Sequence, residues 1–320
     1  MRLSPIAAAA VLTASLAATP ALAQTVGIGT SNPGSIYHSS GSAIAKVVNE
    51  KGGIKATIQP YASPNVYIPA VNAGDLQFGL CNVYEATLAY DGDEYFKGRP
   101  NKDIRAVAIM YPLRVALFVK KDSPIKTIAD FKGHPMPDGF TSQKIILLQL
   151  DATYATAGMT RADMKSVQVP NVVAGAEAFM SGKTDGFYFA LGSAKVREAD
   201  AAVGGIRAID IPDTPQNLAA MQKHYPVAYL RAEKPGPANP GVLAPMHAMA
   251  YDGVVIASSK TPDDVVYKFT KAMYENKADM AQTFPVFNLF DQKEMAKKEP
   301  FPYHDGAIKF YKEKGLWPPK

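Results

Sequence analysis

Short apolar runs rich in branched residues alternate with longer stretches of helical spacing along most of the chain. Residues 26–28, 56–59, 76–81, 104–110 and 115–119 carry the compact apolar pattern of buried strands, and 35–50 and 65–72 carry helical periodicity between them. Strands separated by helices imply parallel pairing through crossover connections, so the expected class is α/β. A second unit follows Lys120-Lys121. It holds a capped turn over 127–133, a helix over 145–157, a second capping pattern at 160–163, a strand at 167–169, a helix over 174–181 and a strand at 186–190. Two segments echo each other: Gly74-Asp75 and Gly182-Lys-Thr-Asp185 both end a helix on glycine and enter an apolar strand through an aspartate. Prolines crowd the stretch 212–245, which reads as a returning loop. Beyond it lie a strand at 248–257 and a helix that Thr261 caps with Pro262 at its first position. The pattern divides the chain into residues 1–23, a first lobe of 24–115 plus 248–320, and a second lobe of 116–247.

Residues 1–23 have the make-up of a cleavable export signal. Arg2 precedes an apolar run, and Ala21-Leu22-Ala23 supplies an A-x-A site, which puts cleavage near Ala23/Gln24. The mature protein is therefore expected in the periplasm, not spanning the membrane, and as a monomer. A single cysteine, Cys81, rules out an intramolecular disulfide. The formal charge of +5, with 34 basic and 29 acidic residues scattered, leaves no nucleic-acid footprint and is compatible with a small anion.

The loop VGIGTSNPGSIYHSSG opens onto the 35–50 helix and comes close to two catalytic or cofactor motifs. A dinucleotide fingerprint needs a third glycine where Asn32 stands, and a nucleophile elbow needs a glycine where Pro33 stands. Ser181-Gly182-Lys183-Thr184 ends like a phosphate loop, but Glu177 occupies the place of its first glycine. The five histidines have no metal-ligand spacing, so neither a metal nor a cofactor is expected, and the chain reads as a non-enzyme. Two readings of the opening loop stay open: capture of a carboxylate by free N–H groups and side chains, or plain capping of the helix. Arg114, isolated in an apolar stretch, fits equally a cleft carboxylate partner and a buried ion pair. Strand ends beyond residues 59, 81 and 190 carry hydroxyls, amides and rings, as a ligand cleft in an open α/β lobe requires.

The run Ile28-Gly-Thr-Ser-Asn-Pro-Gly-Ser-Ile-Tyr37-His-Ser-Ser-Gly41-Ser-Ala-Ile-Ala45-Lys resembles the opening of TAXI-type solute receptors, which serve tripartite ATP-independent periplasmic (TRAP) transporters. The likeness continues through Val71-Asn-Ala-Gly-Asp75, Thr127-Ile-Ala-Asp-Phe-Lys-Gly133, Thr261-Pro-Asp-Asp-Val-Val-Tyr267 and Pro302-Tyr-His304-Asp-Gly-Ala-Ile. The resemblance implies a two-lobe periplasmic binding protein of type II-like plan, each lobe a mixed or parallel sheet flanked by helices, with crossing hinge strands. It also implies a receptor that closes over a small organic acid of the glutamate or 2-oxoglutarate class and delivers it to a TRAP permease. The alternatives are the receptor of an ATP-driven importer, a ligand sensor, or a periplasmic serine hydrolase. Ligand contacts implied by the resemblance and by strand-end position are Thr30, Ser31, Asn32, Gly34, Ser35, Tyr37, Tyr61, Ser63, Asn82, Thr141, Ser142, Gln143 and Leu191, with His38, Arg114 and Lys144 as further candidates. The chain departs from the family pattern at Ser31-Asn32, His38 and Ser39, which marks these side chains as places for its own selectivity.

Overall fold

The computed structural model describes residues 25–319, so the export signal read over 1–23 lies outside the described residues. In chain order the elements are β1 (Thr25–Thr30), α1 (Ile36–Lys51), β2 (Lys55–Pro60), α2 (Pro64–Ala73), β3 (Phe78–Asn82), α3 (Val83–Asp91), β4 (Ile104–Lys120), β5 (Pro135–Gly139), α4 (Ile145–Ala155), β6 (Lys165–Val169) and α5 (Val172–Met180). They continue with β7 (Gly186–Ala190), α6 (Ala194–Ala202), β8 (Ile206–Ala208), α7 (Pro215–Gln222), β9 (Tyr229–Glu233), β10 (Met246–Ser258), α8 (Asp263–Glu275), α9 (Lys277–Thr283) and α10 (Asp305–Glu313).

The main sheet has the order β2-β1-β3-β10-β4-β7, with β8 on β4 and β9 on β10. β1 pairs in parallel with β2 and β3, as the strand-helix alternation requires. β10 is antiparallel to both β3 and β4, which makes the sheet mixed. β5 and β6 form a separate parallel pair. Helices cover both faces, so β3 and β7 are buried at every position and lack the polar alternation of a one-sided strand. Phe78 of β3 stacks on Phe269 of α8 with ring centroids 4.0 Å apart, and Phe118, Phe179 and Phe187 fill the equivalent place at the other end. This is the α/β two-lobe periplasmic-binding-protein fold.

The stretch 212–245, read as a loop, carries α7 and β9, and three further sequence expectations need correction. Residues 104–110 and 115–119 are one strand, β4, of 17 residues. Pro112 interrupts the reading because it has no N–H, but it sits opposite Asp252 where β10 bulges between Asp252 and Val254, a place where the ladder is already irregular. β4 and β10 are thereby long enough to run through both ends of the sheet. Second, β3 starts at Phe78 rather than at 76, because Gly74 turns left-handed (φ 90°) and Leu76 N–H still donates to the Ala70 carbonyl at the end of α2. Third, Thr261 does not cap α8: its hydroxyl donates to the Gln77 carbonyl at 3.2 Å, and the helix begins at Asp263, after Pro262. The echo between the two halves is visible in backbone geometry, since Gly182 after α5 takes the same left-handed turn (φ 75°) as Gly74 after α2.

Among the described residues no helix is long and apolar enough to cross a membrane.

Candidate functional site

Strand ends from both halves of the sheet converge on one cavity. From the first half come Ser31 after β1, Ser35, Ile36 and Tyr37 at the start of α1, and Asn82 and Glu85 at the start of α3. From the second half come Gln143, Ile145, Ile146 and Gln149 around the start of α4, Val172 at the start of α5, and Tyr188, Phe189 and Ala190 of β7. Leu113 and Val115 of β4 and Tyr251 of β10 form the wall between them. With the two halves in contact, the space left for a water-sized molecule is about 40 Å³, room for a few waters.

Local sequence explains why these groups meet. Gly34 takes a positive φ of 90°, which lets the chain turn sharply from β1 into α1, and the Ser35 Oγ accepts the His38 N–H at 3.2 Å as the N-cap. Asn82 Oδ1 accepts the Glu85 N–H at 2.8 Å and starts α3 in the same way. Gln143 Oε1 accepts the Val172 N–H at 3.0 Å, tying the start of α5 to the approach to α4. The first turns of α1, α3, α4 and α5 therefore all lie on the cavity, each presenting the positive end of its peptide dipoles. Ser31 Oγ and Gln149 Oε1 are buried there without a hydrogen-bond partner. Buried polar atoms of this kind are costly unless something fills the space beside them.

The halves are held shut by direct bonds. Tyr225 Oη donates to Asn82 Oδ1 at 2.7 Å, Lys195 N–H to the Gly34 carbonyl at 3.1 Å, and Lys144 N–H to Asn65 Oδ1 at 3.3 Å. The Ser63 hydroxyl also donates to the Ser142 carbonyl.

Of the residues expected from sequence, Ser31, Ser35, Tyr37, Asn82 and Gln143 line the cavity. Thr30 is buried behind it, and Asn32 and Gly34 form the turn beside it through the Asn32 carbonyl and Ser35 N–H. Ser63 and Ser142 meet each other at the closure, Thr141 is exposed, Tyr61 Oη bonds Gln59, and the Leu191 side chain is buried away from the cavity while its N–H donates to the Arg114 carbonyl. His38 is half-buried one turn along α1, and desolvation lowers its pKa. Arg114 resolves to the structural alternative: its Nη1 donates to Glu233 Oε2 at 2.8 Å and to Asn239 Oδ1 at 3.1 Å, and both members of the ion pair are almost wholly buried. Lys144 faces a different, outer pocket with Asn65, Tyr95 and Arg99.

Sequence reasoning missed Glu85, Gln149, Tyr188, Tyr251 and the apolar walls. Glu85 stands three residues after its Asn82 cap, an N-x-x-E spacing that reads as ordinary helix capping, and only the fold shows that this acid is fully buried. No lysine, arginine or histidine lines the cavity. The one acid there, Glu85, bonds Asn82 and Tyr95 and neither Ser31 nor Ser35, so no base–nucleophile pair is formed. Among the described residues no group of three or more His, Cys, Asp or Glu is placed to hold a metal ion.

A family model described as NMT1-like matches residues 28–315, almost the whole described chain. The protein belongs to the NMT1-like family. Solved structures share its fold. PhnD1 from Prochlorococcus marinus MIT 9301, in complex with methylphosphonate, is 9% identical, with 91% of this chain and 98% of that chain covered and a TM-score of 0.56. A structure from Streptococcus mutans, from work on glutathione import via GshT and the cystine ABC importer TcyBC, is 16% identical, with 85% and 99% covered and a TM-score of 0.50. At such identities the likeness shows that this NMT1-like protein shares a fold with them, and the chemistry of its cavity has to be argued from its own residues.

Proposed function

We propose that this NMT1-like protein is an extracytoplasmic solute receptor that closes two lobes over a small polar solute and performs no chemistry on it. The observation that carries the reading is the cavity between the halves of the sheet, onto which four helix starts and the unpartnered Ser31 hydroxyl converge. An acid group on the solute would lose its water to these directed N–H and O–H donors, and a solute touching both halves would favour the closed form over the open one. The lobes of this reading are residues 24–115 with 248–320, and 116–247, with β4 and β10 as the crossing strands. Residues 1–23 serve as its export signal.

The receptor would hand its solute to a membrane permease. The Streptococcus mutans likeness supports an ATP-driven importer as that partner. The opening motif over residues 28–46 favours a second reading, a TRAP permease driven by an ion gradient. Uptake measured in cells depleted of ATP, against cells with a collapsed ion gradient, separates the two.

The reading itself is tested by a thermal-shift screen of the mature chain against organic acids, amino acids, amines, sulfonates, phosphonates and sugars. A true ligand at roughly a hundred times its dissociation constant adds about 2.7 kcal/mol of stability. A screen in which no solute raises the midpoint, or in which one is turned over, would sink the receptor reading.

A further inference from the structure

The cavity contains one carboxyl group and no base. Glu85 has no solvent exposure, and the titratable groups near enough to feel its charge are Tyr37, Tyr67, Cys81, Tyr95, Tyr225 and Tyr251, none of them a cation. Its carboxylate oxygens accept from Tyr95 Oη at 3.2 Å and from Asn82 Nδ2 at 3.3 Å. A buried carboxylate ordinarily comes with a counter-ion, and the protein supplies none here.

An independent chain of hydrogen bonds points the same way. Asn82 Oδ1 must be the oxygen, because it accepts the Glu85 N–H at 2.8 Å. Tyr225 Oη spends its single proton on that oxygen at 2.7 Å, so it can only accept from Gln149, whose Nε2 lies 3.3 Å away. The direction of the chain thus fixes the Gln149 amide, and Oε1 is left buried without a partner. An amide oxygen can only accept. At this end of the cavity Gln149 Oε1 and the Glu85 carboxyl call for a donor that carries positive charge, and no side-chain cation lines it; the Tyr188 hydroxyl, also without a partner, is a neutral donor.

We propose that Glu85 and Gln149 Oε1 are the selectivity end of the cavity and read a protonated amino group on the solute. The inference rests on the receptor reading above and adds the second half of the ligand: an acid end toward the helix starts, an ammonium end at Glu85, and a compact hydrocarbon body against Ile36, Leu113, Val115 and Val172. Burial holds the Glu85 carboxyl up to about 8, so the empty site carries a proton at neutral pH. Binding an ammonium replaces that O–H proton, which leaves to solvent as the carboxylate–ammonium pair forms. One proton is released per solute bound.

The test is calorimetry of the full mature chain with matched trios that share a carbon skeleton: an α-amino acid, the acid lacking its amino group, and the amine lacking its carboxyl. The amino acid should bind at least about a hundredfold tighter than the acid without nitrogen, and the amine without its carboxyl should also bind more weakly than the amino acid. Titration in buffers of different ionisation heat should show close to one proton released, and affinity should rise about tenfold per pH unit up to about pH 8. Glu85→Gln, nearly isosteric, should abolish both the proton release and the preference for nitrogen. The proposal is overturned if the plain acid binds as tightly as its amino counterpart, or if wild-type binding releases no proton. A nitrogen-free solute found in the broad screen as the tight ligand would refute this inference and leave the receptor reading standing. Silence across the whole screen would remove both.

Discussion

The ion pair between Arg114 and Glu233 allows an asymmetric prediction. Arg114 lies on β4 opposite Ala250 of β10, in the segment that joins the two ends of the sheet, and Glu233 ends β9. Their side chains are 4% and 3% exposed, and burial lowers the Arg114 pKa. The two charges are not equally dependent on each other. Glu233 Oε1 is also held by Arg231 Nη1 at 2.5 Å, whereas Arg114 has no second acid and only the Asn239 amide oxygen besides. Removing the acid strands a buried guanidinium, which costs about 3–5 kcal/mol. Removing Arg114 leaves Glu233 paired to a partly exposed arginine, so the cost falls to about 1–3 kcal/mol, the range of one lost charged hydrogen bond and its packing. Glu233→Met should therefore destabilise more than Arg114→Met by about 2 kcal/mol. The double variant should cost less than Glu233→Met alone, because no buried charge remains uncompensated. Equilibrium urea unfolding of the four proteins measures each term, provided two probes of unfolding coincide. In a thermal scan the larger effect corresponds to a midpoint lowered by roughly 5–10 °C. Equal costs for the two single variants, or a double variant at the sum of both, would refute the reasoning, since either result means that the charges do not compensate one another.

Other consequences are as specific. Gly306 opens α10 against the α8 backbone, and an added Cβ would stand 2.2 Å from the Asp263 carbonyl oxygen, so Gly306→Ala should cost more than about 1–3 kcal/mol in the same unfolding assay. Glu85 is raised in the folded state from an ordinary carboxyl value of 4.5 to about 8, so its contribution to stability is fully present below about pH 4.5 and is lost as pH rises to 8. Glu85→Gln should flatten that decline and be more stable than wild type at pH 8 in urea titrations run across the range. Asn65→Ala removes the acceptor of the Lys144 N–H across the closure, and should weaken solute binding by about fivefold to tenfold while leaving the unliganded midpoint nearly unchanged.

The fold was legible where the chain obeys local rules. Ser35, Asn82 and Gly74 act at their helix ends as their residue types require, so the strand-helix alternation and the α/β class could be read directly. The boundaries that shifted did so for tertiary reasons: Pro112 is tolerated inside β4 only because the partner strand bulges opposite it, and that bulge has no signature in β4 itself. The site was half legible. Ser31, Ser35, Tyr37, Asn82 and Gln143 were found because polar residues after strands face the cleft of an α/β lobe. Arg114 was ambiguous because its partner Glu233 lies 119 residues away. Glu85 was hidden by a different effect. An acid in the first turn of a helix normally needs no explanation beyond the helix dipole, and it is the absence of any cation among the groups that fold around it that turns a capping residue into a candidate ligand contact. That absence belongs to the packing of α3, α4, β4 and β10 together, so no local window of the sequence contains it. The opening loop attracted attention through its likeness to anion-binding motifs; on the proposed reading it meets the acid end of the solute while Glu85 and Gln149 meet the opposite charge, and a receptor of that kind discriminates by demanding both.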